Sequence, residues 1–117
     1  MESLGEGSIL RIFMGENDRH EGKPLYEWIV VKAREKGLAG ATVLRGMMGF
    51  GARGRLHSFK IHRLSQALPV IVELVDVRNR LESFLASLGE TIEQGMVTLE
   101  AADIRFYRSG KKLKANE

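Results

Sequence analysis

Residues 45–58 read RGMMGFGARGRLHS and combine four glycines with Arg45, Arg53, Arg55 and His57, without a single Asp or Glu. Gly49, Gly51 and Gly54 fall at the spacing G-x-G-x-x-G. At that spacing, glycine-rich turns bring backbone N–H groups up to a phosphate. Guanidinium groups on the same loop would add charge-assisted hydrogen bonds to the anion. A solvated hairpin tip has the same composition, so composition alone leaves both readings open. A dinucleotide-binding turn is a poor fit, because its third glycine must open a helix packed on a parallel sheet. Here Phe59 and Ile61 alternate with Lys60 and His62, the period of a strand.

A second polar cluster, ENDRHE at residues 16–21, brings Asp18 and His20 together in sequence. With His57 they form an oxygen and nitrogen set of the kind that binds a divalent metal. Turn and helix-capping roles explain Asn17 and Asp18 without a metal, and isolated histidines are more often structural than ligands. No Ser, His and Asp set and no paired carboxylates stand where nucleophilic or acid–base chemistry needs them, so nothing points to an enzyme. The absence of cysteine excludes a disulfide framework, a thiolate metal site and a cysteine nucleophile.

The net charge of +3 hides an uneven distribution. Arg45, Arg53, Arg55, Lys60 and Arg63 are unopposed by acids within residues 45–63, as are Arg105, Arg108, Lys111, Lys112 and Lys114 within residues 105–114. Residues 73–103 compensate with seven acids against two arginines. Such a chain suits a small anionic ligand better than a nucleic acid, which calls for a broad basic surface. No apolar run approaches the roughly 20 residues of a membrane span. The first residues lack the basic and apolar regions of a signal peptide, so a cytoplasmic protein is expected.

These residues need a scaffold, and 117 residues with 44% hydrophobic content suit one core. SILRIFMG at residues 8–15 reads as a strand. Pro24 opens a helix over residues 24–36, closed by Gly37, with Leu25, Trp28, Ile29 and Ala33 at helical spacing. Residues 41–48 form a second strand, followed by the glycine-rich loop and its return arm. Residues 68–75, LPVIVELV, form the third strand, with Pro69 at its beginning. Asp76 is placed to cap a second helix in which Leu81, Phe84, Leu85 and Leu88 make the buried stripe, ending at Gly89. Residues 96–107 form the last strand. Residues 1–7 and the basic tail 111–117 are expected to be flexible ends around a domain at 8–110.

The order βαββαβ predicts an α+β, ferredoxin-like fold, with an antiparallel sheet carrying two helices on one face. With right-handed crossovers, loops 16–23, 49–58 and 89–95 share one edge. The bare sheet face is expected to be buried by self-association.

The motifs carry a resemblance. GATV at 40–43, GFG at 49–51, LPVIVELV at 68–75 and DIRFYRSGK at 103–111 resemble the PII signal-transduction superfamily, trimers that bind adenine nucleotides between subunits. IFMGENDRHEGKPLYEWIV at 12–30, GATVLRG at 40–46 and MGFG at 48–51 are similar, more closely, to a PII-like family of uncharacterised proteins, a domain of unknown function. The likeness spans about residues 9–108. It implies that Thr42 contacts the adenine and that Gly49, Phe50 and Gly51 form the base of a mobile T-loop. It further implies that Gly95 lies in a phosphate-binding turn, and that Arg105 and Arg108 reach a neighbour's phosphates.

Departures accompany the likeness. Met96 stands where PII proteins place a phosphate-binding lysine, the glutamine after the T-loop base is absent, one residue is inserted between Thr42 and Gly49, and Arg108 is shifted by one. A faithful ATP and 2-oxoglutarate sensor is therefore not expected. A monophosphate such as AMP or a cyclic nucleotide needs less charge, with Arg45, Arg53, Lys23 and His57 replacing lost contacts, and ADP stays within the expected adenine nucleotides. Implied partners are a homotrimer and a membrane transporter or enzyme as regulated target. ATP, possible magnesium and the metal set Asp18, His20 and His57 remain alternatives, as does a ligand-free structural trimer.

Overall fold

The computed structural model describes residues 5–58 and 68–110. Its elements are β1 (Gly5–Gly15), α1 (Leu25–Glu35), β2 (Gly40–Arg45), β3 (Pro69–Asp76), α2 (Arg78–Leu88) and β4 (Met96–Ile104). The strands form one antiparallel sheet in the order β2-β3-β1-β4. β1 and β2 therefore run one way and β3 and β4 the other, the arrangement expected from the βαββαβ order.

Alternation in β3 decides which face carries the core. Val70, Val72, Leu74 and Asp76 are buried, while Ile71, Glu73, Val75 and Pro69 between them are half-buried. Leu10, Ile12 and Met14 of β1 join them on the helix side. α1 contributes Leu25, Ile29 and Ala33 at four-residue steps, and α2 contributes Leu81, Phe84 and Leu88. Each large aliphatic buried this way contributes about 1.5–3 kcal/mol.

The helix ends were legible in part. Gly37 is left-handed at φ +76°, with its N–H donated to Arg34 O and the Leu38 N–H to Ala33 O, the paired bonds of a Schellman ending. Pro24 is the N-cap, one residue before the first helical position expected of it. Asp76, expected to cap α2, does something else. It is fully buried and makes no bond to the second or third helical N–H. Its Oδ1 accepts the Val77 N–H at 2.6 Å and its Oδ2 accepts Ala39 N–H and Arg80 Nη1, each at 2.9 Å. Arg80 Nη2 also donates to the last carbonyls of α1's turn, Lys36 O at 3.1 Å and Gly37 O at 3.2 Å. One buried carboxylate thus ties both helices to the start of β2.

Three boundaries moved for tertiary reasons. β1 begins at Gly5 because Gly5 to Gly7 pair with Ile104 to Ala102, so residues 5–7 are strand and not a free end. β2 stops at Arg45 instead of Met48, since Pro69 opposite Gly46 accepts its N–H at 2.7 Å but has no N–H to give in return. β4 ends at Ile104 rather than Tyr107, and Tyr107 instead donates its hydroxyl to Ala39 O at 2.5 Å.

Candidate functional site

The strand directions bring three turns to one edge. β1 leaves it at Gly15, opposite Pro69; β2 leaves it at Arg45, opposite Val70; β4 enters it at Met96, opposite Phe13. The turn after β1 is pinned, because the Glu16 N–H donates to Leu68 O at 2.9 Å and the Asp18 carboxylate accepts Gly15 N–H at 3.2 Å. Beyond Gly46, Met48 and Gly49 pair with Ser58 and His57, forming the closed base of a hairpin. The rest of the expected return arm, residues 59–67, lies outside the described residues.

The hairpin tip is open. Gly54 N–H donates to Gly51 O at 2.8 Å, with Gly54 at φ +72°, so a reverse turn carries Ala52 and Arg53 outward. Phe50 is 73% exposed, and Arg53 and Arg55 are exposed with no ion pair among the described residues. Gly95 is the tight point of the third turn. At φ +121°, a Cβ there would lie 2.3 Å from Phe13 O, so only glycine lets this backbone approach β1.

Arg45 and Glu16 join two of these turns. Arg45 Nη2 lies 3.0 Å from Glu16 Oε2, and Glu16 Oε1 accepts the Leu68 N–H at 3.3 Å. Sequence reasoning missed Glu16, because its partners are distant along the chain; only its place directly after a strand hinted at an edge role. Thr42 lies opposite Glu73 and Arg45 opposite Val70, so alternation sends the two side chains to opposite faces. Because β2 is an edge strand, a ligand lying along it is reachable from both.

The remaining expected residues are not gathered at this edge. Arg105 and Arg108 follow the far end of β4, whose nine residues separate them from Gly95 by about 30 Å at the usual strand rise. Arg105 lies 3.7 Å from Asp103, and the Arg108 guanidinium sits 4.3 Å from the Phe106 ring centre.

The alternative metal set is not assembled either. His20 meets Trp28 edge-on at 4.5 Å, Asp18 serves the turn after β1, and among the described residues no three of His, Asp and Glu are grouped to hold a metal ion. His57 Nδ1 is buried without a hydrogen-bond partner among the described residues.

On the sheet face away from the helices, Arg11 lies between two carboxylates, bonded to Glu73 at 2.8 Å and to Glu100. These bonds, Glu73's foremost, raise its pKa above the ordinary arginine value. Beside this polar row runs an apolar one, Leu44, Ile71, Phe13 and Met96, aligned across all four strands at the loop edge.

The chain matches the DUF190 family, described as an uncharacterized ACR, over residues 7–104. It belongs to that family. A UPF0166 protein of Aquifex aeolicus is 36% identical over 98 residues, covering 84% of this chain and 92% of its own length. A UPF0166 protein of Methanocaldococcus jannaschii is 40% identical over 104 residues, covering 88% and 94%. Among solved structures, the DUF190 chain is similar to CPII, a nitrogen regulatory PII-like protein from Thiomonas intermedia K12 bound to ADP, AMP and bicarbonate. The TM-score is 0.64 at 13% identity, covering 86% of this chain and 89% of that one. A second CPII structure, with ADP and bicarbonate, gives 0.62. The fold is therefore PII-like and ferredoxin-type. No helix among the described residues is long and apolar enough to cross a membrane.

Proposed function

We propose that this DUF190 protein is a non-enzymatic regulator that binds an adenine nucleotide at the loop edge, in clefts between the subunits of a homotrimer. The observation that carries the reading is the convergence at one edge of a pinned turn, a glycine-built hairpin and the Gly95 turn, beside Arg45, paired with Glu16, and Arg53 and Arg55, which have no ion pair among the described residues. Exposed backbone N–H groups at such glycines and the guanidinium groups of Arg45, Arg53 and Arg55 suit a phosphate. The likeness of the fold to CPII, which was solved with ADP and AMP, favours adenine nucleotides over other anions.

What one subunit lacks supports the trimer. Arg105 and Arg108 sit a sheet's length from Gly95, so they reach a ligand there only from a neighbour. The apolar row across the bare sheet face, with Leu44 45% and Met96 55% exposed, gives association its driving force. Nucleotide binding orders the 49–58 loop to the extent that the loop contacts the ligand better in one conformation. A partner, a membrane transporter or an enzyme, reads the result.

Calorimetry of the protein with AMP, ADP, ATP, cyclic AMP and cyclic di-AMP, with and without magnesium, tests the reading. One nucleotide should bind per subunit, in a particle of three times 13.1 kDa. Heat only with a divalent metal, or a monomer with a full complement of nucleotide, would overturn it.

A further inference from the structure

We infer that Glu16 sets how much negative charge this edge accepts, selecting a ligand with one phosphate over those with two or three. The inference rests on the nucleotide-binding reading above and names the charge class of its ligand.

The argument starts from how unequally the two partners of the ion pair are held. Glu16 is fixed three ways: its N–H to Leu68 O, its Oε1 to the Leu68 N–H, and its Oε2 to Arg45. Its side chain is 27% exposed. Among the described residues the Arg45 side chain has one partner; it ends an edge strand and is 60% exposed. When an anion arrives, Arg45 is therefore the group that turns to meet it, and the Glu16 carboxylate stays where it is.

A guanidinium has donors enough for the carboxylate and one phosphate together. Beyond the first phosphate, further charge meets a pinned carboxylate, whose repulsion works against the attraction of Arg53 and Arg55. Arg45 and Glu16 cancel, leaving Arg53 and Arg55 on the open hairpin without an ion pair among the described residues. Like charges placed together are how proteins refuse a wrong ligand as well as bind a right one. Nothing in the fold requires a charge here, since the backbone bond from Glu16 N–H to Leu68 O would stand without it and a neutral amide oxygen could accept the Leu68 N–H.

Calorimetry of the full-length protein with AMP, ADP and ATP, at one ionic strength and without divalent cations, decides the matter when run on the wild type and on Glu16→Gln. The glutamine oxygen can still accept the Leu68 N–H. Wild-type affinity should fall from AMP to ATP. The variant should gain about tenfold for ATP and less than about threefold for AMP, a difference of the size like-charge contacts produce. An equal change for both, or a wild type that prefers ATP, overturns the role of Glu16 while leaving the site in place. No binding of any nucleotide by either protein overturns the site itself, and this inference with it. If Glu16→Gln does not fold by circular dichroism, Arg45→Ala replaces it. Stripped of its counter-charge, Glu16 should then cost ATP about tenfold more affinity than AMP; equal losses overturn the proposal.

Discussion

At the end of the sheet where β1 begins, a buried charge has its partners in place. Asp76 is fully buried, its oxygens take the N–H groups of Ala39 and Val77, and Arg80 bridges it to the last carbonyls of the α1 turn. At the opposite end, Arg53 and Arg55 stand exposed without an acid, Phe50, Met47 and Met48 face solvent, and one acid, Glu16, is held more firmly than the arginine it pairs with. A satisfied network gives rigidity, and an unsatisfied one leaves binding energy unused. The contrast fits the proposal that the loop edge holds the ligand while the Asp76 network holds the architecture.

The comparison breaks most visibly at Asp76. Asp76→Ala strands the Ala39 N–H and frees Arg80, and should cost roughly 3 kcal/mol in urea unfolding, on the scale of lost hydrogen bonds to a charged group. A loss below about 1 kcal/mol would make the far end no more rigid than a loop. Gly95→Ala comes next, because it places a Cβ against Phe13 O and strains a left-handed residue. It should destabilise by roughly 2 kcal/mol and weaken AMP binding, which would show that the loop edge has one rigid point of its own. Arg53→Ala should leave unfolding unchanged within about 0.5 kcal/mol. It should weaken AMP binding by about 1–3 kcal/mol, and an unchanged affinity removes Arg53 from the site.

The smallest effect tests a turn that serves neither purpose. Glu21 has φ +53° and Gly22 φ +80° between the paired residues His20 and Lys23, a two-residue turn of the type that favours glycine. Glu21→Gly should raise stability by about 0.5 kcal/mol, the strain relieved less the entropy glycine loses. A loss instead would mean that Glu21's contact with His20, 3.6 Å away, matters more than its backbone.

Much of the fold could be read from local chemistry. The alternation of residues 68–75, the helical spacing of Leu25, Ile29 and Ala33, and Gly37 as the α1 terminator all act within a few residues of themselves. From the strand order followed the shared edge of the three turns. What was not legible depends on partners distant in sequence. Asp76 looks like a local cap until Ala39, 37 residues earlier, turns out to be its partner. β2 reads as continuing to Met48 until Pro69 is seen across from Gly46. Arg45 reads as a free cation until Glu16 is beside it. The site is legible to the same degree: Gly49, Gly51, Arg53 and Gly95 lie at one edge, whereas Arg105 and Arg108 lie at the other, where only a second subunit reconciles them with a shared ligand.

Hydrogen exchange with and without saturating AMP measures both ends at once. The account predicts slowed exchange in residues 46–58, at residues 95–96 and in residues 105–108, with Ala39 and residues 76–80 unchanged. Protection confined to the Asp76 end, or slowed exchange at the hairpin with none in residues 105–108, would contradict a nucleotide held at the loop edge between two subunits.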